Sequence, residues 1–244
     1  MRLLLLSSIL LSLAPTVPAA AEEECLAALL EPVAVASDDS GHVIMYYGDD
    51  GGRLHRLENR TGLLRETKQV GVPSSVRAIG AADLDGNGTT EVAVLTSDGQ
   101  LSIYDGNSLG SLWRSQDGNY TTVVALAVAD VDQDPPLEIL LLADEHLVIY
   151  DGSTHFKEWT STEPTTATDL LVADADGDGE TEIVLSSGVV LSTVFFQTEW
   201  DAGEPFGREL FLLDMEGDVT PEILARSENG TLRVFSVKDR REIW

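Results

Sequence analysis

Asp174-Ala175-Asp176-Gly177-Asp178-Gly179-Glu180-Thr181-Glu182 puts an acidic side chain at every second position, with small residues or threonine between. If this loop curls, the carboxylates of Asp174, Asp176, Asp178 and Glu182 and the carbonyl of Glu180 can meet at one point. That is the oxygen-only shell of a hard divalent cation, about 6–8 ligands for calcium. The same grammar recurs three times. Asp83 to Glu91 reads D-L-D-G-N-G-T-T-E, Asp130 to Glu138 reads D-V-D-Q-D-P-P-L-E, and Asp214 to Glu222 reads D-M-E-G-D-V-T-P-E. The first residues of the four copies lie 47, 44 and 40 apart. A period of about 40–50 residues is the signature of a propeller or solenoid.

Each copy sits in the same context. An apolar run leads in: Val76 to Ala82, Val123 to Ala129, Leu170 to Ala173 and Leu210 to Leu213. A second run leaves from the closing glutamate: Val92 to Leu95, Ile139 to Leu142, Ile183 to Leu185 and Ile223 to Ala225. Continuously apolar runs this short fit strands buried on both faces. Turn signals follow at Asp98-Gly99, Asp144-Glu145, Ser186-Ser187-Gly188 and Asn229-Gly230, and then alternating segments such as Leu101-Ser102-Ile103. Every unit ends in a tryptophan. Trp113, Trp159, Trp200 and Trp244 lie 30, 29, 26 and 30 residues after the first aspartate of their unit, which predicts packing between neighbouring units. A degenerate unit precedes these, with Val43 to Tyr47, Arg53 to Leu57 and Asn59 to Leu64 as strands and Ser37 to Ser40 in place of the acidic loop. The expectation is an all-β chain of five repeats, at about 33–75, 76–122, 123–166, 167–206 and 207–244. Four short strands per repeat make a blade, and blades make a β-propeller.

Residues 1–21 read as a secretory signal peptide: Arg2, an apolar run from Leu3 to Leu13, and small residues from Val17 to Ala21. The expected location is therefore extracellular or periplasmic, with no membrane insertion after cleavage. Cys25 is the single cysteine, so no intrachain disulfide forms. The formal charge is −27, from 42 acidic and 15 basic residues, which argues against nucleic acid or an anionic membrane as partner. Sixteen of the acids fall in the four loops, where four divalent ions would offset eight charges.

The opening of D-x-D-G-D-G is shared with the EF-hand, but an EF-hand closes with glutamate at position 12 between helices. Here position 12 is Val94, Leu141, Leu185 or Ala225, and the closing carboxylate stands at position 9 between strand-like runs. Loops 83–91 and 174–182 carry glycine at positions 4 and 6, as a tight turn requires. Loop 130–138 has Pro135 at position 6, and loop 214–222 has Glu216 at position 3 and Val219 at position 6. On these residues the chain resembles the FG-GAP/VCBS repeats, the blades of the integrin-α-like propeller, over about residues 33–244. The resemblance implies loops between the first and second strands of each blade, and up to four Ca²⁺ ions. The implied ligands are Asp83, Asp85, Asn87, Thr89 (carbonyl) and Glu91, then Asp174, Asp176, Asp178, Glu180 (carbonyl) and Glu182. In the less regular copies they are Asp130, Asp132, Asp134, Pro136 (carbonyl) and Glu138, then Asp214, Glu216, Asp218, Thr220 (carbonyl) and Glu222. Two departures stand out: the closing residue is Glu where the family usually has Asp, and five units are counted where integrin-like propellers have seven. A five-bladed ring, an open arc and a ring completed by another chain all remain open.

No catalytic constellation accompanies the loops. Gly106 to Gly110 matches G-x-S-x-G but lies between expected strands, whereas a nucleophile elbow needs a strand-to-helix turn. His42, His55, His146 and His155 form no H-x-x-x-H pair. Sequons occur at Asn59, Asn87, Asn119 and Asn229. The expectation is a secreted, non-enzymatic module that binds a protein or glycan, with calcium serving structure. The alternatives are an extracellular polysaccharide lyase or hydrolase on a propeller scaffold, or a self-associating subunit of a larger propeller assembly.

Overall fold

The computed structural model describes residues 32–37, 41–60, 62–116, 119–134, 136–215, 217 and 220–244. The leader-like segment 1–21, Cys25, the 38–40 stretch, Pro135, Glu216, Asp218 and Val219 lie outside the described residues. The described residues contain strands and turns and no helix. They form five four-stranded antiparallel sheets, each a meander of consecutive strands.

The chain divides into two compact units. The first, Glu31–Thr166, holds three sheets. These are β1 (Val33–Ser37), β2 (Val43–Gly48), β3 (Arg53–Arg60) and β4 (Leu63–Gly71); β5 (Val76–Ala82), β6 (Glu91–Thr96), β7 (Leu101–Asp105) and β8 (Ser111–Arg114); and β9 (Val123–Ala129), β10 (Glu138–Ala143), β11 (His146–Asp151) and β12 (Lys157–Thr160). The described part of the second unit is Ala167–Trp244, with β13 (Leu170–Ala173), β14 (Glu182–Leu185), β15 (Val189–Ser192) and β16 (Thr198–Asp201), then β17 (Glu209–Leu213), β18 (Glu222–Arg226), β19 (Leu232–Ser236) and β20 (Arg241–Glu242).

Why the second strand of a sheet is continuously apolar is plain at β6. Successive side chains of a strand point to opposite faces. Val92 and Val94 enter a core shared with Ile44, Tyr46 and Leu54 of the first sheet. Ala93 and Leu95 enter another, shared with Leu126, Ile139 and Leu141 of the third. Both faces are thus buried, and polar alternation has no place. In the second unit, Val184 and Val190 pack with Phe206, Leu210, Ile223 and Phe235. Sheets approach closely: a Cβ at Gly80 would lie 2.5 Å from Val128 Cγ2, and one at Gly48 would lie 2.2 Å from Val76 Cβ.

The fourth strands are different. β4, β8, β12 and β16 are largely exposed, and in each the ladder to the third strand is broken by one extra residue. The registers Arg56↔Lys68/Leu57↔Glu66, Ile103↔Trp113/Tyr104↔Ser111, Ile149↔Trp159/Tyr150↔Lys157 and Val190↔Trp200/Leu191↔Thr198 leave Thr67, Leu112, Glu158 and Glu199 bulged. A bulge of this kind re-aims a side chain. The turn before the fourth strand repeats as well. Leu109, His155, Phe196 and Arg240 all have positive φ, at 57°, 61°, 51° and 52°, and each lies four residues before its unit's tryptophan. Leu109 and His155 donate their N–H to the carbonyls of Asp105 and Asp151, at 2.8 and 2.9 Å.

One strand differs from the sequence reading. The last strand of the first sheet was expected at Asn59 to Leu64; instead β3 runs on to Arg60 and β4 spans Leu63–Gly71, with Gly62 at φ 82° in the turn. β4 is exposed over nearly its whole length, so burial imposes no period on its sequence. The tryptophans also divide. Trp113 packs edge-on to Tyr150 of the next sheet at 6.2 Å, and Trp200 packs on Phe206 at 5.1 Å, whereas Trp244 is 68% exposed.

Candidate metal centres

The acidic loops connect the first and second strands of the second to fifth sheets: β5–β6, β9–β10, β13–β14 and β17–β18. Within three of them the side chains converge. One carboxylate oxygen from each of Asp83, Asp85 and Glu91 lies within 4.8 Å of the others; so do those of Asp130, Asp132 and Glu138, and of Asp174, Asp176 and Glu182. Positions 1, 3 and 9 are therefore brought together. At position 5, Asp134 and Asp178 stand outside these groups; Asp178 Oδ1 accepts the Glu180 N–H at 2.8 Å, and at the matching place Asn87 Oδ1 accepts the Thr89 N–H at 2.8 Å. Of the fourth loop, Asp214 and Glu222 are described while Glu216 and Asp218 are not.

Backbone donors hold each loop by one scheme. The closing glutamate accepts the N–H of position 2: Leu84 to Glu91 at 2.9 Å, Val131 to Glu138 at 2.7 Å, Ala175 to Glu182 at 2.8 Å and Met215 to Glu222 at 2.8 Å. The first aspartate accepts from the turn. Asp83 takes Asn87 and Gly88 N–H at 3.0 and 2.9 Å, and Asp174 takes Gly177 and Gly179 N–H at 2.8 and 3.1 Å. Asp130 takes Gln133 N–H at 2.7 Å, and Asp214 takes Gly217 N–H at 2.5 Å. Position 4 needs a left-handed backbone in all four loops. Gly86, Gly177 and Gly217 adopt φ 72°, 81° and 73°, and Gln133 adopts 65° without the freedom of glycine.

The closing glutamates are 3, 1, 1 and 5% exposed at positions 91, 138, 182 and 222. Burial, reinforced by the neighbouring aspartates, pushes the carboxyls of Glu138 and Glu182 up to about 7 and raises that of Glu91. One Glu138 oxygen is bound by Val131, but Oε1 is buried and has no hydrogen-bond partner. An orphaned buried carboxylate oxygen is costly unless something positive meets it. The donor set is all oxygen, two aspartates and one glutamate per loop, with no imidazole or thiolate. It fits calcium, magnesium or manganese better than zinc or copper.

The loops are tied to their neighbours within each unit. Leu137 N–H donates to Leu84 C=O at 3.1 Å, so position 8 of loop 130–138 rests on position 2 of loop 83–91. A Cβ on Gly152 would meet the Leu137 and Leu84 carbonyl oxygens at 2.1 and 2.7 Å. A Cβ on Gly177 would lie 2.6 Å from Thr220 Oγ1 of the following loop. The bulged Glu158 and Glu199 were not singled out from sequence, although each directly precedes a repeat tryptophan. Burial and the charges of Asp151, Asp132 and Asp134 raise the carboxyl of Glu158; burial and Asp176 and Asp178 raise that of Glu199.

The other residues considered for chemistry are separate. Ser108 donates through both N–H and Oγ to Asp105 Oδ1 at 2.6 Å in the β7–β8 turn, a strand–turn–strand setting. His55 lies between Glu66 Oε2 at 2.8 Å and Asp49 Oδ2 at 3.2 Å and stacks on Tyr47 at 4.3 Å. His146 contacts the Ser161 carbonyl, and His155 stacks on Trp113.

No protein-family model matches this sequence, and no curated protein does. Among solved structures, the chain is similar to BamB from Moraxella catarrhalis, at 18% identity and a TM-score of 0.54, over 86% of this chain and 62% of that one. It is also similar to the computationally designed Ika8 protein, at 18% identity and a TM-score of 0.60, over 86% of this chain and 60% of that one. Both are β-propellers, and the fold of this chain is of that class. The chain spans about three-fifths of the length of each of these two proteins.

Proposed function

We propose that this chain is a secreted, calcium-binding β-propeller of the FG-GAP/VCBS kind that acts as a non-enzymatic protein- or glycan-binding module, calcium serving its structure. The observation that carries the reading is the threefold recurrence of Asp, Asp and buried Glu at one place in successive sheets. Asp83, Asp85 and Glu91, Asp130, Asp132 and Glu138, and Asp174, Asp176 and Glu182 would hold the ions, with the fourth loop completing the set. A bound ion supplies positive charge where buried carboxylates otherwise face one another, and so ties the first strand of a blade to the second. The propeller likeness supports a protein-interaction scaffold, and the leader-like residues 1–21 support export.

Thermal unfolding of residues 22–244 in calcium and in chelator tests the metal role. A ligand that binds the native state alone stabilises it, by about 4 kcal/mol at a thousandfold excess over Kd. The expected result is a rise in Tm with calcium that Asp174→Ala with Asp176→Ala reduces; equal melting in calcium and chelator would refute the reading. Binding to immobilised protein and glycan panels tests the module role. The shares of 62 and 60% of the matched propellers also favour a second reading, a part of a larger propeller assembly, which the mass of the chain in solution tests.

A further inference from the structure

We propose that the β11–β12 turn, with the bulged outer strand beside it, is a docking surface for a cationic segment of a partner protein that also carries apolar side chains. The inference rests on the binding-module reading and gives it a location and a ligand chemistry.

Three observations converge there. The first is exposed apolar surface on a fixed backbone. Phe156 is 75% exposed and Leu112 is 56% exposed. They adjoin, in sequence, the two members of a stacked pair: Trp113 and His155, with ring centroids 5.3 Å apart and planes 14° apart. The stack joins the second sheet to the turn of the third. The Phe156 carbonyl accepts the Asp151 N–H at 3.0 Å, the His155 N–H reaches the Asp151 carbonyl at 2.9 Å, and Thr154 bonds the Asp151 carboxylate through N–H and hydroxyl. The turn is thus held at both ends while the phenyl ring projects. An exposed apolar side chain on a backbone already fixed offers contact area with no backbone ordering cost on binding, which suits an anchor.

The second observation is a surplus of negative charge. Asp130, Asp132, Asp134 and Glu138 already outweigh one divalent ion; Asp151 pairs with Glu138 across the β10–β11 ladder, and Glu158 lies on the adjoining strand β12. Six carboxylates against one Ca²⁺ and the neighbouring Lys157 leave three negative charges. The bulge at Glu158 is the third observation. The ladder passes from Ile149↔Trp159 to Tyr150↔Lys157 and skips Glu158, whose carboxylate has no partner in the register and stands exposed on the outer strand. An extra carboxylate added to an already overcharged corner is unfavourable alone, and a Lys or Arg from a partner relieves it. Anionic glycans, anionic membranes and a second copy of a chain at −27 would meet like charge here.

The test uses residues 22–244 in saturating calcium and two fluorescein-labelled twelve-residue peptides of equal charge, one alternating lysine and leucine, the other lysine and serine. Anisotropy titrations near physiological salt should show the Lys–Leu peptide binding about tenfold more tightly than the Lys–Ser peptide. Phe156→Ser combined with Leu112→Ser should weaken Lys–Leu binding by about tenfold and leave Lys–Ser unchanged. Glu158→Gln should weaken both. Phe195→Ser, at the exposed β15–β16 turn, should change neither; Phe195 is 73% exposed, so the two phenylalanines separate a specific anchor from general stickiness. All substituted side chains but Glu158 are exposed apolar groups, so unchanged melting is expected and serves as the control for folding. Equal affinity of the two peptides, or Lys–Leu binding untouched by the double variant, would overturn the proposal. If that happens while a glycan on the panel is bound with no effect of Phe156→Ser, the binding-module reading stands and this surface is wrong; if neither panel nor peptide binds, the module reading fails with it.

Discussion

The loop residues do not carry equal strain. Gln133 holds the left-handed position of its loop at φ 65°, where the other three loops have glycine. A left-handed non-glycine residue costs about 1–2 kcal/mol, part of which glycine returns as unfolded-state entropy. Gln133→Gly should therefore stabilise the protein by about 0.5–1 kcal/mol, read as a higher denaturation midpoint at unchanged m-value. The reverse change at Gly179, φ 93° with open space around the added Cβ, isolates the backbone cost: Gly179→Ala should destabilise by about 1 kcal/mol, and a neutral result would show that the loop relaxes. Glu138 poses a different question. Its Oε1 is buried without a partner and its carboxyl is pushed up to about 7, chiefly by burial. Glu138→Gln keeps the shape and removes the charge. It should raise Tm in chelator and shrink the calcium-induced rise, two opposite effects from one substitution. Glutamine can still accept the Val131 N–H, so a loss of Tm in both conditions would mean that the negative charge itself stabilises the loop without a cation.

At the level of the element, the loops are linked through Leu84. Its N–H goes to Glu91 of its own loop, and its C=O takes the N–H of Leu137, the residue before Glu138. An ion that fixes loop 83–91 thereby fixes one end of loop 130–138. Asp83→Asn with Asp85→Asn should lower calcium affinity at loop 130–138 by several-fold, followed through the amide resonances of Val131 and Leu137 during titration. An unchanged midpoint at those amides would show that the loops bind independently. This tie was not legible in the sequence, because it is a backbone contact between loops 47 residues apart and no side chain signals it. What was legible follows from burial. Strands such as β6 and β10, enclosed on both faces, are continuously apolar, and the carboxylate positions recur because each loop solves the same turn. The outer strand β4 was misplaced because it is exposed on both faces and its composition carries no period. The bulges at Glu158 and Glu199 and the left-handed turns at Leu109, His155, Phe196 and Arg240 use residues that announce neither feature.

For the whole molecule, two sets of carboxylates pull stability in opposite directions with pH. Glu138 and Glu182 are raised to about 7, and Glu91 and Glu199 are raised as well, in each case chiefly by burial. These groups bind protons in the folded state at a pH where the unfolded chain has released them. In chelator, stability should therefore fall as pH rises from the ordinary glutamate range of about 4.5 through about 7. Asp98, Asp105, Asp144 and Asp151 are lowered instead. Thr96 and Ser74 hold Asp98, Ser108 holds Asp105 and Thr122 holds Asp144, while at Asp151 the bonds from Thr154 and Ser153 overcome burial. Their contribution is present above the ordinary aspartate value and is lost as pH falls through their folded values, so it does not change over the glutamate window. The chelated protein should thus melt at a higher temperature near pH 5 than near pH 8, the reverse of the trend set by hydrogen-bonded carboxylates alone. The comparison avoids the sequence pI of 4.2, where low net charge favours association. Calcium would bind the ionised carboxylates, so protons would compete with it, and its stabilising increment should grow from about pH 5 to pH 8. A chelated protein that is instead more stable near pH 8 would mean that the loop glutamates are relieved by something other than a cation, and the structural role assigned to the metal would lose its physical basis.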